Sequence, residues 1–234
     1  MKLNLLGSLI SIIVINLVLS GDNAVVIALA TLRLESEQRK KAIFWGTFGA
    51  VFLRVILTVV AAVLLSVPYI QAVGGLLLTW IAVKLLAEDE EGGEKAAPES
   101  LGAAIRTIIA ADLLMSLDNV LAVAGASGGN LFLLVTGLLL SIPLVIWGST
   151  FLADLMQRWP WLVAIGAGLL GWTAGEMILK EPYLSFLKAG TPWEYLVPGV
   201  LALGVVALGT ALAKRKKAAA CTRPGNPTKV DPRD

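Results

Sequence analysis

The sequence predicts an all-α integral membrane protein with seven transmembrane helices, arranged as a 3+3 inverted repeat plus one C-terminal helix. Three observations predict it. Of the 234 residues, 57% are hydrophobic and 15% charged, against about a quarter charged in an ordinary soluble domain. Such a chain has too little polar surface to cover a soluble globule. Apolar stretches recur along the chain, each near the roughly 20 residues that cross a bilayer. The first three of these stretches also resemble the next three in sequence.

Composition excludes several chemistries. The chain has no histidine, which removes Ser-His-Asp hydrolysis, His-ligated haem and His-based zinc sites together. Its single cysteine, Cys221, allows neither an intrachain disulfide nor a zinc-ribbon or cluster site. A net charge of +2 is too small to suggest a nucleic-acid partner.

The spans read as 5–31, 42–66, 69–87, 101–126, 131–152, 161–179 and 195–213. Backbone amides in hydrocarbon must be paired within their own segment, so each is a helix. Lys2 leads an apolar run, and Ala28-Leu29-Ala30 resembles a signal-peptide cleavage site. The run is too long for an h-region and carries Asp22, so it is read as a retained span. The expected organisation is a first three-helix repeat (1–87), an acidic cytoplasmic linker (88–100), a second repeat (101–190), a seventh helix (191–213) and a basic, disordered cytoplasmic tail (214–234).

Lysine and arginine set the orientation. With the run Lys214-Arg215-Lys216-Lys217 placed in the cytoplasm, 15 of the 19 basic residues fall inside and 3 outside, with Arg54 within a helix. The expectation is a multi-pass protein of the plasma (inner) membrane, N-terminus outside and C-terminus cytoplasmic.

The repeat is carried by polar residues. At an offset of 96, Asn16 to Asn23 falls on Asp112 to Asn119, and Ser20, Asp22 and Asn23 meet Ser116, Asp118 and Asn119. At an offset of 92, Pro68 meets Pro160, Gly74 meets Gly166, Trp80 meets Trp172 and Lys84 meets Glu176. Three helices per repeat turn the second copy upside down. That is the plan of many secondary transporters, whose site lies near the midplane between the halves.

Asp22, Arg54, Asp112, Asp118 and Glu176 all fall within spans. A charge at a helix centre costs about 2.5–3.5 kcal/mol on insertion scales, so each needs a partner or water. Structural ion pairing and snorkelling are the bland explanations, the latter for Lys84 and Glu176 near helix ends. At a rise of 1.5 Å per residue, Arg54 is central, Asp22 about 6 Å and Asp112 about 2 Å to the cytoplasmic side. On the same count Asp118 lies about 7 Å and Glu176 about 9 Å to the outside. These depths put Asp22 and Asp112 near Arg54, with Asp118 and Glu176 a layer further out. Asn16, Ser20 and Asn23 share one helix face, as do Asp112, Ser116 and Asn119.

Carboxylates, carboxamides and hydroxyls suit a hard divalent cation such as Mg²⁺, Ca²⁺ or Mn²⁺. Met115 and Met177 either add softer donors that favour Mn²⁺ or simply pack. The segments Leu19-Ser20-Gly21-Asp22-Asn23-Ala24-Val25-Val26-Ile27-Ala28 and Asp112-Leu113-Leu114-Met115-Ser116-Leu117-Asp118-Asn119-Val120 resemble the paired signatures of the TerC family of integral membrane proteins. That family is named for tellurium resistance and is related to the lysine-exporter-like carriers. The resemblance covers roughly residues 5–213 and implies a divalent-cation exporter, with manganese the best-supported substrate. By motif match, Asp22, Asn23, Asp118 and Asn119 inherit the metal role, with Asp112 added. Leu117 stands where the first copy has Gly21.

The expected protein is therefore not an enzyme and holds no cofactor. It exports Mn²⁺ or another divalent cation, by proton antiport, through a metal site of Asp22, Asn23, Asp112, Asp118, Asn119 and Glu176, with Arg54 as ion-pair or coupling residue. Its partners are the metal ion, protons and the lipid bilayer, without nucleic acid, and a homo-oligomer is compatible. The alternatives are a non-transporting scaffold in a metal or tellurite stress response and an exporter of a small organic solute. An intramembrane aspartic protease fits less well. Gly21-Asp22 resembles part of its motif, but Leu19 replaces the first glycine and the partner Tyr-Asp pair is absent.

Overall fold

The structure is a computed structural model that describes residues 21–64, 67–89, 100–126, 130–181 and 192–221. Among them lie seven helices and no strand: α1 (Gly21–Thr31), α2 (Ser36–Leu64), α3 (Ile70–Asp89), α4 (Leu101–Ala126), α5 (Leu131–Arg158), α6 (Trp161–Lys180) and α7 (Trp193–Cys221). Five segments are long and apolar enough to cross a membrane: Ser36–Thr58, Ile70–Glu88, Phe132–Arg158, Trp161–Lys180 and Trp193–Arg215. The predicted first span is described only from Gly21 onward, and Asn16 and Ser20 lie outside the described residues.

Several helices outrun their predicted spans. α2 begins at Ser36 rather than 42, α5 reaches Arg158 rather than 152, and α7 continues past 213 to Cys221. Hydropathy reads the hydrocarbon thickness, whereas a helix propagates into the headgroup region wherever its residues tolerate it. Helix starts follow ordinary capping physics. Asn130 accepts hydrogen bonds from the backbone N–H groups of Phe132 (3.1 Å) and Leu133 (3.2 Å) to open α5. Ser100 accepts one from Ala103 (3.2 Å) to open α4.

Neighbouring contacts fix directions. Gly46 and Gly49 of α2 lie against Ile108 and Ile109 of α4, so these two helices run parallel. α3 and α6 run antiparallel: a Cβ on Gly75 would lie 2.5 Å from the Ala174 carbonyl oxygen, while Gly74 faces Met177. α7 lies against α6 so closely that a side chain on Gly175 would collide with the Pro198 backbone. Pro198 lacks an amide hydrogen to satisfy, which suits a contact made backbone to backbone. α1 packs chiefly on α5 and α4, α2 on α4 and α5, α3 on α6, and α7 on α6 and α3.

α1 is the innermost described element, with every residue from Asn23 to Thr31 buried. Met115 (1% exposed) and Met177 (0%) sit in the same apolar core as α1, Leu78 and Leu170. The periphery is the reverse of a soluble surface. Phe44, Trp45, Phe48, Phe52 and Ile56 line one exposed face of α2, and Leu196, Val200, Leu203, Leu208 and Leu212 are exposed on α7. Exposed apolar area on this scale needs lipid against it. The chain is a multi-pass integral membrane protein.

Glu181 ties two of these helices together. It is 1% exposed and follows α6, and its carboxylate accepts from the backbone N–H groups of Tyr69 (3.0 Å), Gln71 (3.2 Å) and Ala72 (3.4 Å). These are the otherwise unpaired donors at the start of α3, whose own first turn holds no acid. Tyr69, just before the helix, has φ 62°, a costly conformation for a bulky residue that the surrounding contacts must hold. Glu181→Ala should lower the unfolding free energy in detergent by about 1–3 kcal/mol. Glu181→Gln, which keeps one acceptor oxygen, should lose less. Equal losses in both variants would deny the carboxylate this capping role.

Candidate functional site

α4 displays Asp112 and Ser116 four residues apart, hence on one face. That face meets Arg54 from the middle of α2. Arg54 is 3% exposed and Ser116 is 0% exposed. The Arg54 Nε donates to Ser116 Oγ (2.8 Å), its Nη2 donates to Asp112 Oδ1 in an ion pair, and Ser116 Oγ donates to Asp112 Oδ2 (3.2 Å). The side chains of Arg54 and Asp112 are 4% and 12% exposed. Both carboxylate oxygens are thus engaged, and to ligate a metal Asp112 must give up Arg54 or share it.

On α1, the backbone N–H of Asn23 donates to Asp22 Oδ1 (2.9 Å). Asn23 is 3% exposed, and neither its Oδ1 nor its Nδ2 has a hydrogen-bond partner among the described residues. An unpaired buried polar group costs about 1–3 kcal/mol, and in a helix otherwise filled with apolar side chains that cost needs a reason. A carboxamide oxygen with free lone pairs beside a carboxylate is a suitable donor set for a hard cation.

The remaining expected residues fall differently. Asn119 follows Ser116 along the same face of α4. Asp118 is in the α4 backbone, but its side chain lies outside the described residues. Glu176 is not part of the Arg54 cluster: it is exposed on α6, and its Oε1 accepts from the Trp172 indole N–H (2.7 Å). Among the described residues no three Asp, Glu, Cys or His side chains converge to hold a metal ion.

Two residues that sequence reasoning did not single out organise the ends of the helices. Glu181 is one, and its signal was the missing acid at the start of α3. Arg39 is the other, read only as one basic charge among many. It donates to the Leu32 and Leu34 carbonyls just beyond α1 (both 3.3 Å) and to Asp154 (3.4 Å) and Gln157 (3.2 Å) of α5. The carboxamide of Gln157 donates in turn to the Leu32 carbonyl (3.2 Å). Carbonyls left over at a helix end require donors, and here they come from α2 and α5.

Comparison with known proteins follows the same lines. The chain is 45% identical over 212 residues to the uncharacterized membrane protein YjbE of Bacillus subtilis, covering 90% of this chain and 96% of that one. It is 33% identical over 143 residues to the uncharacterized membrane protein YceF of the same organism, covering 57% and 56%. To the inner membrane protein YgdQ of Escherichia coli it is 25% identical over 185 residues, covering 71% and 78%. No solved structure matches it significantly. The model of the integral membrane protein TerC family matches residues 1–217, and the chain belongs to that family.

Proposed function

We propose that this protein is a secondary transporter of the plasma membrane that exports a divalent metal cation, Mn²⁺ foremost, in exchange for protons. The observation that carries the reading is the buried carboxamide of Asn23, unpartnered among the described residues, beside Asp22. Asp118 and Asn119, the matching pair in the second half of the sequence, complete the donor set. Arg54 and Asp112 are the fixed intramembrane charges that the cargo's own charge must be balanced against.

The packing supports an inverted repeat. Exchanging α1 with α4, α2 with α5 and α3 with α6 turns the α1–α5 contact into the α4–α2 contact, and returns α3–α6 to itself. All three are extensive contacts here. A site between such halves is reached alternately from the two sides as one half rocks against the other. The excess of basic residues in the loops on one side orients the N-terminus outward.

Export of a divalent cation from a negative-inside cell is uphill by about 4.6 kcal/mol per 100 mV. The sequence has no Gly-x-x-x-x-Gly-Lys-Ser/Thr motif with which to hydrolyse a nucleotide, so an ion gradient is the source. In this reading protons replace the metal at the carboxylates of the proposed site, Asp22 and Asp118, while Asp112 stays paired with Arg54 and Glu176 lies outside the exchange on the exposed face of α6. In proteoliposomes an imposed pH gradient should drive Mn²⁺ accumulation, and adding Mn²⁺ should release protons. Flux that follows a sodium gradient alone, or runs only downhill, would replace antiport with protons by another coupling.

A further inference from the structure

We propose that the groove between α3 and α4 binds an anionic phospholipid. The groove, about 180 Å³, is lined by Trp80, Ile81, Lys84 and Leu85 of α3 and by Arg106 and Ala110 of α4. Lys84 lies five residues before the end of α3 and Arg106 five residues after the start of α4. The two helices are joined at that end, so the two cations stand at one level on neighbouring helices. Both are exposed. The Lys84 ammonium lies 5.9 Å from the centre of the Trp80 ring, the arrangement of an interfacial aromatic next to a headgroup.

Below this pair runs a track for an acyl chain. Val73, Leu76, Leu77 and Trp80 are all about half exposed or more, and they share with Lys84 one face of α3. From Val73 to Lys84 the helix rises about 16 Å, close to half of a hydrocarbon core of roughly 30 Å. The apolar face is therefore one leaflet long and ends in two positive charges, which matches the shape and charge of one anionic lipid.

The basic groove is not a requirement of the fold. At the positions that the sequence repeat aligns with Trp80 and Lys84, α6 carries Trp172 and Glu176, with the acid bonded to the indole. The sign of the charge is reversed there while the helix is retained. Among the described residues Lys84 pairs with one acid, Glu88, at 3.7 Å one turn away, with side chains 47% and 25% exposed; such a solvent-reached pair is weak and readily exchanged. Arg106 forms no ion pair with a described residue.

The test uses the full-length protein in nanodiscs of phosphatidylcholine with or without phosphatidylglycerol, and counts retained lipid by native mass spectrometry. The wild type should retain phosphatidylglycerol over phosphatidylcholine, and the double variant Lys84→Gln/Arg106→Gln should lower that preference by about tenfold. Lys84→Arg/Arg106→Lys, which keeps both charges, should retain the lipid. Lys40→Gln/Lys41→Gln, an equal charge change on α2 at the same end, should leave it unchanged. Equal retention in wild type and the Gln/Gln variant would overturn the proposal. So would an equal loss in the α2 control, which would indicate diffuse attraction. Stabilisation of the detergent-solubilised protein by inorganic phosphate to the same extent as by phosphatidylglycerol would overturn it in favour of a free-anion site.

Discussion

Asp112→Ala is expected to lower the unfolding free energy of the detergent-solubilised protein by up to about 3–5 kcal/mol, the cost of breaking a buried ion pair by removing one member. The group that loses its described acidic partner is the Arg54 guanidinium, whose side chain is 4% exposed. It would keep Ser116 as an acceptor, but a neutral hydroxyl does not offset a full charge away from water. Restoring the balance should matter more than restoring the pair. In Arg54→Met/Asp112→Leu both charges go and similar volume remains, so stability should return to within about 1–2 kcal/mol of wild type. Chemical denaturation of the two single variants and the double variant closes the cycle. A double variant as unstable as Asp112→Ala would mean that the losses come from packing. A mild Asp112→Ala would mean that Arg54 is compensated by another acid. Transport should fail in the double variant even where stability recovers, because the fixed charges that the proposed transport cycle uses are gone.

The Arg54–Asp112 contact was legible from sequence for a simple reason. Both residues lie near the middle of apolar spans, and depth along a helix follows from residue count alone. Depth says nothing about azimuth, however. Glu176 has an intramembrane position but points out of the bundle toward Trp172, and the rotation of α6 that decides this is set by Gly75 and Pro198 packing on its other faces. Five of the seven predicted spans are helices long and apolar enough to cross a membrane; these were legible because hydropathy reports burial in hydrocarbon, and their ends were not, because it reports nothing beyond the hydrocarbon. Glu181 and Arg39 were hidden for a further reason. Their partners include backbone N–H and C=O groups at helix ends, more than 100 residues away for Glu181, and backbone groups leave no mark on side-chain patterns. The shared Ser-x-Asp-Asn residues of the two halves were the strongest functional signal. They drew attention to Asn23, a buried residue whose carboxamide has no hydrogen-bond partner among the described residues.

That residue yields a prediction in which stability and function move in opposite directions. If the Asn23 carboxamide is retained for a cation, then removing it should make the metal-free protein more stable. Asn23→Leu replaces two unpaired buried polar atoms with apolar ones of similar volume, and should raise the unfolding free energy by about 1–3 kcal/mol. The same change deletes a ligand. A metal that binds only the folded state stabilises it by about 2.7 kcal/mol at a concentration 100 times its dissociation constant. Wild-type protein should therefore gain that much with Mn²⁺, whereas Asn23→Leu should gain almost nothing. Asp22→Asn and Asp118→Asn remove charge while keeping shape, so each should abolish both the Mn²⁺-induced stabilisation and Mn²⁺ flux with little change in the metal-free protein. Thermal unfolding with and without Mn²⁺, beside flux in proteoliposomes, separates the cases. An Asn23→Leu protein that is less stable without metal would make the carboxamide a structural group. Full Mn²⁺ stabilisation in Asp22→Asn and Asp118→Asn alike would return those two carboxylates to a role in packing and move the cation site elsewhere in the bundle.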